Sequence, residues 1–407
     1  MSLQAIVIGA GMGGLCAALR LQAGGAATTL FESADHVGGK ACNEIIDGSA
    51  IPCGPTVLTL KEVFDALFSA AGTRIDEMVT LKPLDVLAHH RWSATEELDL
   101  YHSVDESAEA ISLFAGAREA DGYRAFVADA KRIFETVDGP FISSPKPDFL
   151  RLSLAVGPFG ASKIKPYSTL WTIVSRHFKD ARLRQLFGRY ATYCGSSPFL
   201  SPATLMLVAH AEQRGVWGIE GGLGALAAAI AQRFEELGGT IVTNMAAKEV
   251  VVAHGKVRGV VDGRGTMHQA GLVVFGGDVA ALGRGDLGQS VAKVGQVTPP
   301  HKRSLSAVTI KARVRPQRPL HYHTVLFGRD YPSEMTALFQ ERRTPHDSTL
   351  YLCAPEHTTH QGTDQRVFMV MNAPAQTDHH DGEEDVAQCT TQAMETLTRC
   401  GLATTLS

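Results

Sequence analysis

Apolar residues fall along this chain in two alternating periods. A continuous apolar run, Ala5-Ile6-Val7-Ile8, reads as a strand, six glycine-rich residues follow, and an alanine- and leucine-rich stretch from Leu15 reads as a helix. Thr28-Thr29-Leu30-Phe31 reads as a second strand, so residues 1 to about 60 form the first βαβ part of a doubly wound sheet, with a turn at Asp47-Gly48. From Lys61 to residue 75 apolar positions recur at three and four (Val63, Phe64, Leu67, Phe68), the pattern of an amphipathic helix. Short alternating runs between Leu81 and Tyr101, such as Leu98-Asp99-Leu100-Tyr101, predict strands of a second, antiparallel sheet, and residues 105–136 return to helix. A further helix over 222–237 is bracketed by Gly221-Gly222 and Gly238-Gly239. Strands follow at 240–243, 249–252, 257–261 and 272–275, with turns at His254-Gly255-Lys256, Asp262-Gly263 and Gly276-Gly277-Asp278. Ser306 to Val314 and Arg366 to Met371 complete the predicted strands.

The strand–turn–helix at the start carries the clearest chemistry. In Gly9-Ala10-Gly11-Met12-Gly13-Gly14, Gly9 permits a tight turn, Gly11 lets the backbone approach a pyrophosphate, and Gly14 lets the helix pack closely on the strand. The phosphates would sit at the helix N-terminus, where N–H groups and the dipole favour negative charge. Glu32, eighteen residues after Gly14 at the end of the second strand, is placed to accept hydrogen bonds from an adenosine ribose, and an acid there favours an unphosphorylated one. Two more close turns follow, Gly38-Gly39-Lys40 with its cation and Gly54-Pro55-Thr56.

Gly9 to Lys40 resembles the two-part dinucleotide fingerprint of the flavin amine oxidase and carotenoid desaturase superfamily, whose cofactor is FAD. Gly54-Pro55-Thr56-Val57-Leu58-Thr59 resembles the bacterial phytoene-desaturase branch, in which this loop lies near the flavin ring. Arg189-Tyr190-Ala191-Thr192-Tyr193-Cys194-Gly195-Ser196-Ser197-Pro198-Phe199 and Val216-Trp217-Gly218-Ile219-Glu220-Gly221-Gly222 are similar to the 1-hydroxycarotenoid 3,4-desaturases. The likeness covers about residues 3 to 300. It implies an α/β fold with a Rossmann-like FAD-binding domain of the glutathione-reductase type, an antiparallel-sheet substrate domain and a helical, membrane-facing region. The expected order is cofactor domain over 1–75 and 216–285, substrate domain over 76–148 and 286–407, and the helical region over 149–215.

The implied activity is introduction of a C3–C4 double bond into a 1-hydroxy or 1-methoxy carotenoid, by hydride transfer to flavin and proton loss. A phytoene desaturase, a carotenoid isomerase, an amine oxidase relative and an inactive fragment are the alternatives. Positioning and water exclusion carry most of such a reaction, and the sequence offers no compact triad or carboxylate pair, so no catalytic base is named. Thr56 is the candidate for a polar contact with the flavin ring. Val250 or Val251 is the candidate to line the adenine with backbone groups, plain sheet core being the other reading. Tyr190 and Tyr193 are candidates to line the substrate tunnel or meet a terminal hydroxyl, with ordinary core packing as the alternative. The chain departs from the family pattern in two places. Pro52 stands where an acid is common, and no glycine-rich final strand and helix follows Gly401, so the expectation is a chain truncated before its last FAD segment.

Composition narrows the partners. With 407 residues, 44% hydrophobic, 20% charged and a net charge of −4, nucleic acid is a poor partner and two domains are affordable. No run approaches the roughly eighteen apolar residues a membrane helix needs. Seven scattered cysteines without a C-x-x-C pair read as reduced thiols. His357, His360, His379 and His380 lack metal-ligand spacing and read as solvated loop residues, so no metal is expected. Residues 149–211 hold eight Lys or Arg (Arg151, Lys163, Lys165, Arg176, Lys179, Arg182, Arg184, Arg189) against Asp180 alone, and nine of the 28 aromatics. That mixture suits an anionic membrane surface; a helical cap with core aromatics and a solvated basic face is the competing reading. A cytoplasmic protein attached peripherally to the inner or photosynthetic membrane, with a polyene substrate, is the expectation.

Overall fold

A computed structural model of the chain describes residues 2–46, 48–144, 168–316, 318–355, 365–375, 383–402 and 404–406. The chain folds into two compact units, residues 1–82 with 217–302 and residues 83–216 with 303–407.

The first unit is built on a parallel sheet whose order is Leu272–Phe275, Gln4–Ile8, Ala27–Phe31, Thr240–Val242. The opening strand is central, and its apolar run is explained by burial on both faces. Val7, with Leu30 of the next strand, faces a cluster built from helices Met12–Ala23, Lys61–Ala70 and Gly222–Glu236, through Leu15, Leu19, Leu67, Phe68, Leu226, Ile230 and Phe234. Ile6, Ile8 and Phe31 face the other way, against Val250, Val260, Leu282 and Leu287. Val250 and Val260 belong to a three-stranded antiparallel sheet, Ala247–Ala253, Lys256–Asp262 and Met267–Gln269. Each such side chain contributes roughly 1.5–3 kcal/mol by leaving water, and both layers press on the strand that delivers Gly9. The predicted helix over 61–75 ends at Ala70, where Gly72 turns with φ +73°, and a short helix, Ile75–Met78, follows.

The second unit is organised on a seven-stranded sheet. Its order is Thr404–Leu406, Ser306–Pro316, Gln365–Ala373, Leu350–Cys353, His323–Leu326, Val86–Arg91, Glu97–Tyr101. It is antiparallel except where His323–Leu326 runs parallel to Val86–Arg91. One face packs on helix Glu383–Arg399, with Cys389, Ala393 and Leu397 against Leu350, Leu352, Val367, Met369 and Met371. Leu98, Leu100, Val325 and Phe327 join a helical core that includes Ile111, Phe126, Ile133, Ile173, Phe178, Leu186 and Phe187. The helix expected over 105–136 is two helices, Val104–Ala115 and Ala117–Val137, because Gly116 adopts φ +99° and breaks the register.

The described part of the basic, aromatic stretch lies in this second unit, as helices Leu170–His177, Ala181–Gly188 and Leu207–Gln213 with a 3₁₀ turn at Arg189–Cys194. Two of its arginines are engaged within the unit. Arg182 donates to Asp180 and Glu96 and lies 4.0 Å from the centroid of Phe114, while Arg184 stands over Trp171. Phe178, Phe187 and Tyr190 are buried core residues. Arg151, Lys163 and Lys165, like the four late histidines, lie outside the described residues. Among the described residues no helix is long and apolar enough to cross a membrane. All seven cysteines are unbridged.

Candidate functional site

In the first unit the glycine turn is fixed from several sides. The Gly9 N–H donates to Phe31 O at 2.7 Å, which ties the turn to the end of the neighbouring strand, and Gly9 takes φ +96°. A Cβ on Gly14 would stand 1.9 Å from Gly9 O, so the helix packs where only glycine fits. Gly276, at the end of strand Leu272–Phe275, closes the same contact: its Cβ would lie 3.0 Å from Gly14 Cα. Sequence reasoning assigned Gly276 only to a turn; the signal for more was its place directly after a strand that pairs with the first. Gly11 differs from these packing glycines. It is the N-cap of helix Met12–Ala23, no side chain caps that helix, and a Cβ on Gly11 or Gly13 would meet no protein atom within 4 Å. The space beside the first-turn N–H groups is therefore unfilled by protein, which is the fit a dinucleotide's pyrophosphate requires.

Glu32 anchors the opposite side of this cradle. Its Oε2 accepts from Ala10 N–H at 2.7 Å and its Oε1 from Ala34 N–H at 2.8 Å and Ser33 Oγ at 3.1 Å. A carboxylate oxygen accepts two hydrogen bonds, so Oε2 retains one lone pair for a further donor. Gly38 donates its N–H to Ala10 O at 2.8 Å, and Gly39 (φ +58°) would bring a Cβ to 3.1 Å from Gly11 Cα, so the second glycine turn lies against the first. Lys40 is exposed, and Gly54 packs on its backbone, where a Cβ would be 1.9 Å from Lys40 O. Pro55 is exposed and Thr56 half-buried. Val250 has its backbone groups engaged within its own unit. Its N–H donates to Leu287 O at 3.0 Å, its C=O accepts from Ser290 Oγ at 3.1 Å, and its side chain is in the core, so the sheet-core reading is the one its packing supports.

In the second unit Tyr190 and Tyr193 meet on one carboxylate that sequence reasoning did not single out. The Tyr190 hydroxyl donates to Glu212 Oε2 at 2.7 Å, and the Tyr193 hydroxyl donates to Glu212 Oε1 at 3.0 Å. Arg189 Nη2 donates to the Tyr193 oxygen at 3.1 Å, and its guanidinium carbon lies 5.1 Å from the Tyr193 ring centroid. Tyr190 is buried, whereas Tyr193 is 47% exposed. Burial raises the Glu212 carboxyl above its ordinary range, against the lowering effect of the two phenols and Arg189, and burial raises both phenols as well. Elsewhere in this unit His89 Nδ1 lies 2.6 Å from Asp99 Oδ1, and the His89 and His321 rings stack at 4.4 Å with 12° between planes. His89, Asp99 and His321 each offer one ligand atom, and these atoms lie within 4.8 Å of one another, close enough to hold a metal ion.

Comparison with known proteins places these two assemblies in a family. The profile described as "NAD(P)-binding Rossmann-like domain" matches residues 7–70, the span of the glycine turns and Glu32. The chain is 39% identical over 98% of its length to hydroxyneurosporene desaturase of Rubrivivax gelatinosus, covering 77% of that protein, and 37% identical over 98% to hydroxyneurosporene desaturase of Rhodobacter capsulatus, covering 81%. The chain belongs to the hydroxyneurosporene desaturase family. Relatedness extends from this family to lycopene-forming phytoene desaturase of Pantoea ananas, 31% identical over 86% of the chain and 71% of that protein. The fold of this desaturase-family chain is shared with an oxidoreductase from Methanosarcina mazei (TM-score 0.62, 16% identity, 99% of this chain and 86% of the other). It is shared equally with a redesigned putrescine oxidase (TM-score 0.62, 13% identity, 99% and 82%).

Proposed function

We propose that this protein is a FAD-dependent carotenoid desaturase that introduces the C3–C4 double bond into a 1-hydroxy carotenoid of the hydroxyneurosporene type. The observation that carries the reading is the open cradle at Gly11, retained in a chain alike over 98% of its length to two hydroxyneurosporene desaturases. When bound, FAD supplies the acceptor for a hydride lost from a carbon beside the polyene. The first unit's own residues then have binding roles. Gly9, Gly11 and Gly14 admit the pyrophosphate to the helix N-terminus, and the remaining lone pair of Glu32 Oε2 takes a ribose hydroxyl. Gly38, Gly39 and Lys40 close over the phosphates, and Gly54-Pro55-Thr56 supports the ring. In the second unit Tyr193 contacts the substrate with the buried Tyr190 supporting it, and the surrounding aliphatic and aromatic core excludes water from a reaction that needs positioning more than acid–base groups.

An extremely apolar substrate is collected from lipid, so peripheral attachment to a membrane belongs to the same reading; exposed Phe141, Ile142 and Leu200 supply apolar surface on the second unit. The test begins with flavin bound per chain after incubation with FAD and gel filtration. It continues with anaerobic and aerobic incubation of the loaded protein with a 1-hydroxy carotenoid in liposomes. One flavin per chain and a product with a longer-wavelength absorption band are expected. A protein that retains no flavin, or that binds flavin and leaves the polyene spectrum unchanged, refutes the reading.

A further inference from the structure

We propose that Glu212 and Arg189 form the site that reads the substrate's terminal oxygen, with Tyr193 as the hinge between them and Tyr190 as the support beneath. The proposal rests on the desaturase reading and assigns the specificity-determining residues within it. Two charged groups of opposite sign are held close without pairing directly. Among the described residues Arg189 makes no ion pair with a carboxylate; its one side-chain hydrogen bond goes to the Tyr193 oxygen, whose O–H in turn donates to Glu212. Of the five guanidinium N–H groups four remain for another acceptor. Glu212 accepts one phenol on each oxygen, and each oxygen keeps a second lone-pair direction. Spare donor and spare acceptor capacity thus meet beside a tyrosine that is 47% exposed, in a unit whose neighbouring core is Phe126, Phe178 and Phe187.

Arg189 and Glu212 are half-buried and their contacts to Tyr193 are open to solvent, so an oxygen-bearing ligand can reach the spare capacity of both. A tertiary alcohol completes both sides at once: its O–H donates to Glu212 and its oxygen accepts from Arg189. A methyl ether satisfies Arg189 only, and a hydrocarbon end satisfies neither. Sites built to hydrogen-bond a hydroxyl reject the analogue lacking it far more strongly than apolar pockets reject an extra methyl. The preference therefore follows the order hydroxy, methoxy, hydrocarbon.

The experiment uses the FAD-loaded full chain with three polyenes of the same conjugated length, ending in hydroxyl, methoxyl or hydrogen at C1, and compares kcat/KM for each. For wild type the hydroxylated polyene is expected to lead. In Glu212→Gln the hydroxy-to-methoxy ratio is expected to fall about 10- to 100-fold, the size of a lost hydrogen bond to a charged group. Tyr193→Phe keeps the ring at a half-exposed position and uncouples Arg189 from Glu212, so it reduces the preference of both oxygenated ends over the hydrocarbon even if the Gln variant fails to fold. Ratios unchanged in both variants overturn the assignment while leaving the desaturase reading intact. Wild-type protein that turns over none of the three polyenes overturns both.

Discussion

Gly11 and Gly14 stand three residues apart in one motif, yet the structure gives them opposite tolerances, which makes their alanine variants a discriminating pair. At Gly11 the backbone has φ −66° and ψ 172°, ordinary for any residue, and a Cβ meets no protein atom within 4 Å. Losing a glycine N-cap costs at most about 1 kcal/mol, and stiffening the unfolded chain returns about 0.4–1 kcal/mol, so the apoprotein's stability changes by less than about 1 kcal/mol. The methyl nevertheless occupies the space beside the first-turn N–H groups. Removing one charge-assisted hydrogen bond to a phosphate costs about 1.5–3 kcal/mol, or roughly 10- to 150-fold in Kd. At Gly14 the same methyl lands 1.9 Å from Gly9 O, where ordinary contact begins at 3.4 Å, so the helix and the turn must separate by more than an ångström. Overpacking of that kind costs about 1–3 kcal/mol or more and spoils the cradle as well. Urea unfolding of the apoproteins and titration of FAD by fluorescence quenching measure the two effects separately. Gly11→Ala is expected to lose binding and keep stability, and Gly14→Ala to lose both. A Gly11→Ala protein that binds FAD like wild type, or that is as destabilised as Gly14→Ala, refutes the division of labour.

Other outcomes can be read from the buried and hydrogen-bonded groups. Glu32→Ala removes the carboxylate that holds Ala10 and Ala34, and it should weaken FAD by about 1.5–3 kcal/mol in the same titration; an unchanged Kd would remove Glu32 from the ribose site. Burial lifts the Glu334 carboxyl from 4.5 to about 7. Between those values the unfolded chain has lost a proton that the folded chain keeps, so stability falls as pH rises from 4.5 to 7, by about 3 kcal/mol in total. Glu334→Gln, which still offers an acceptor to the Thr349 N–H, should abolish that slope when urea midpoints at pH 5 and 8 are followed through Trp92 and Trp171; equal slopes in variant and wild type count against it. Burial lowers His90 and His323 from 6.5 to about 3, so here the unfolded chain binds the extra proton and stability is lost as pH falls below 6.5, by about 1.4 kcal/mol per pH unit for each. A stability profile flat between pH 6.5 and 4 would contradict their neutral burial.

Much of the first unit was legible because its signals are local. Ala5 to Ile8, the glycine turn and Thr28 to Phe31 each dictate a conformation within a few residues, and the parallel order of the sheet follows from the crossovers. The breaks were harder to read. Gly116 looks like one tolerable glycine within a helical pattern, and only its positive φ separates two helices. Helix Glu383–Arg399 was missed although Cys389, Ala393 and Leu397 recur every four residues, because its buried stripe includes Thr396 and Gln392, and the preceding stretch is polar. Composition counts the charges of the basic stretch without their partners. Arg182 finds one partner two residues away and another, Glu96, 86 residues away, and the second is invisible to composition.

The same reason explains why the substrate-side cluster was only half legible. Tyr190 and Tyr193 stood out as part of a motif, but their significance lies in a shared acceptor on another helix, 22 and 19 residues further on. That meeting depends on a 3₁₀ turn stopped by Gly195, which adopts φ +62° and whose Cβ would collide with Ser304 at 2.5 Å. Sequence periodicity describes which face of one element is apolar, and it is silent on where two polar faces converge. A carboxylate on a helix scores as solvated surface until its partners are known. Two phenols converge on it, Tyr190 from the core and Tyr193 from a half-exposed position, and Arg189 reaches it through the Tyr193 oxygen, so three polar side chains are ordered around one carboxylate at a cost in conformational entropy. A cluster that still holds spare donors and acceptors after that expense is organised for a ligand with an oxygen to share.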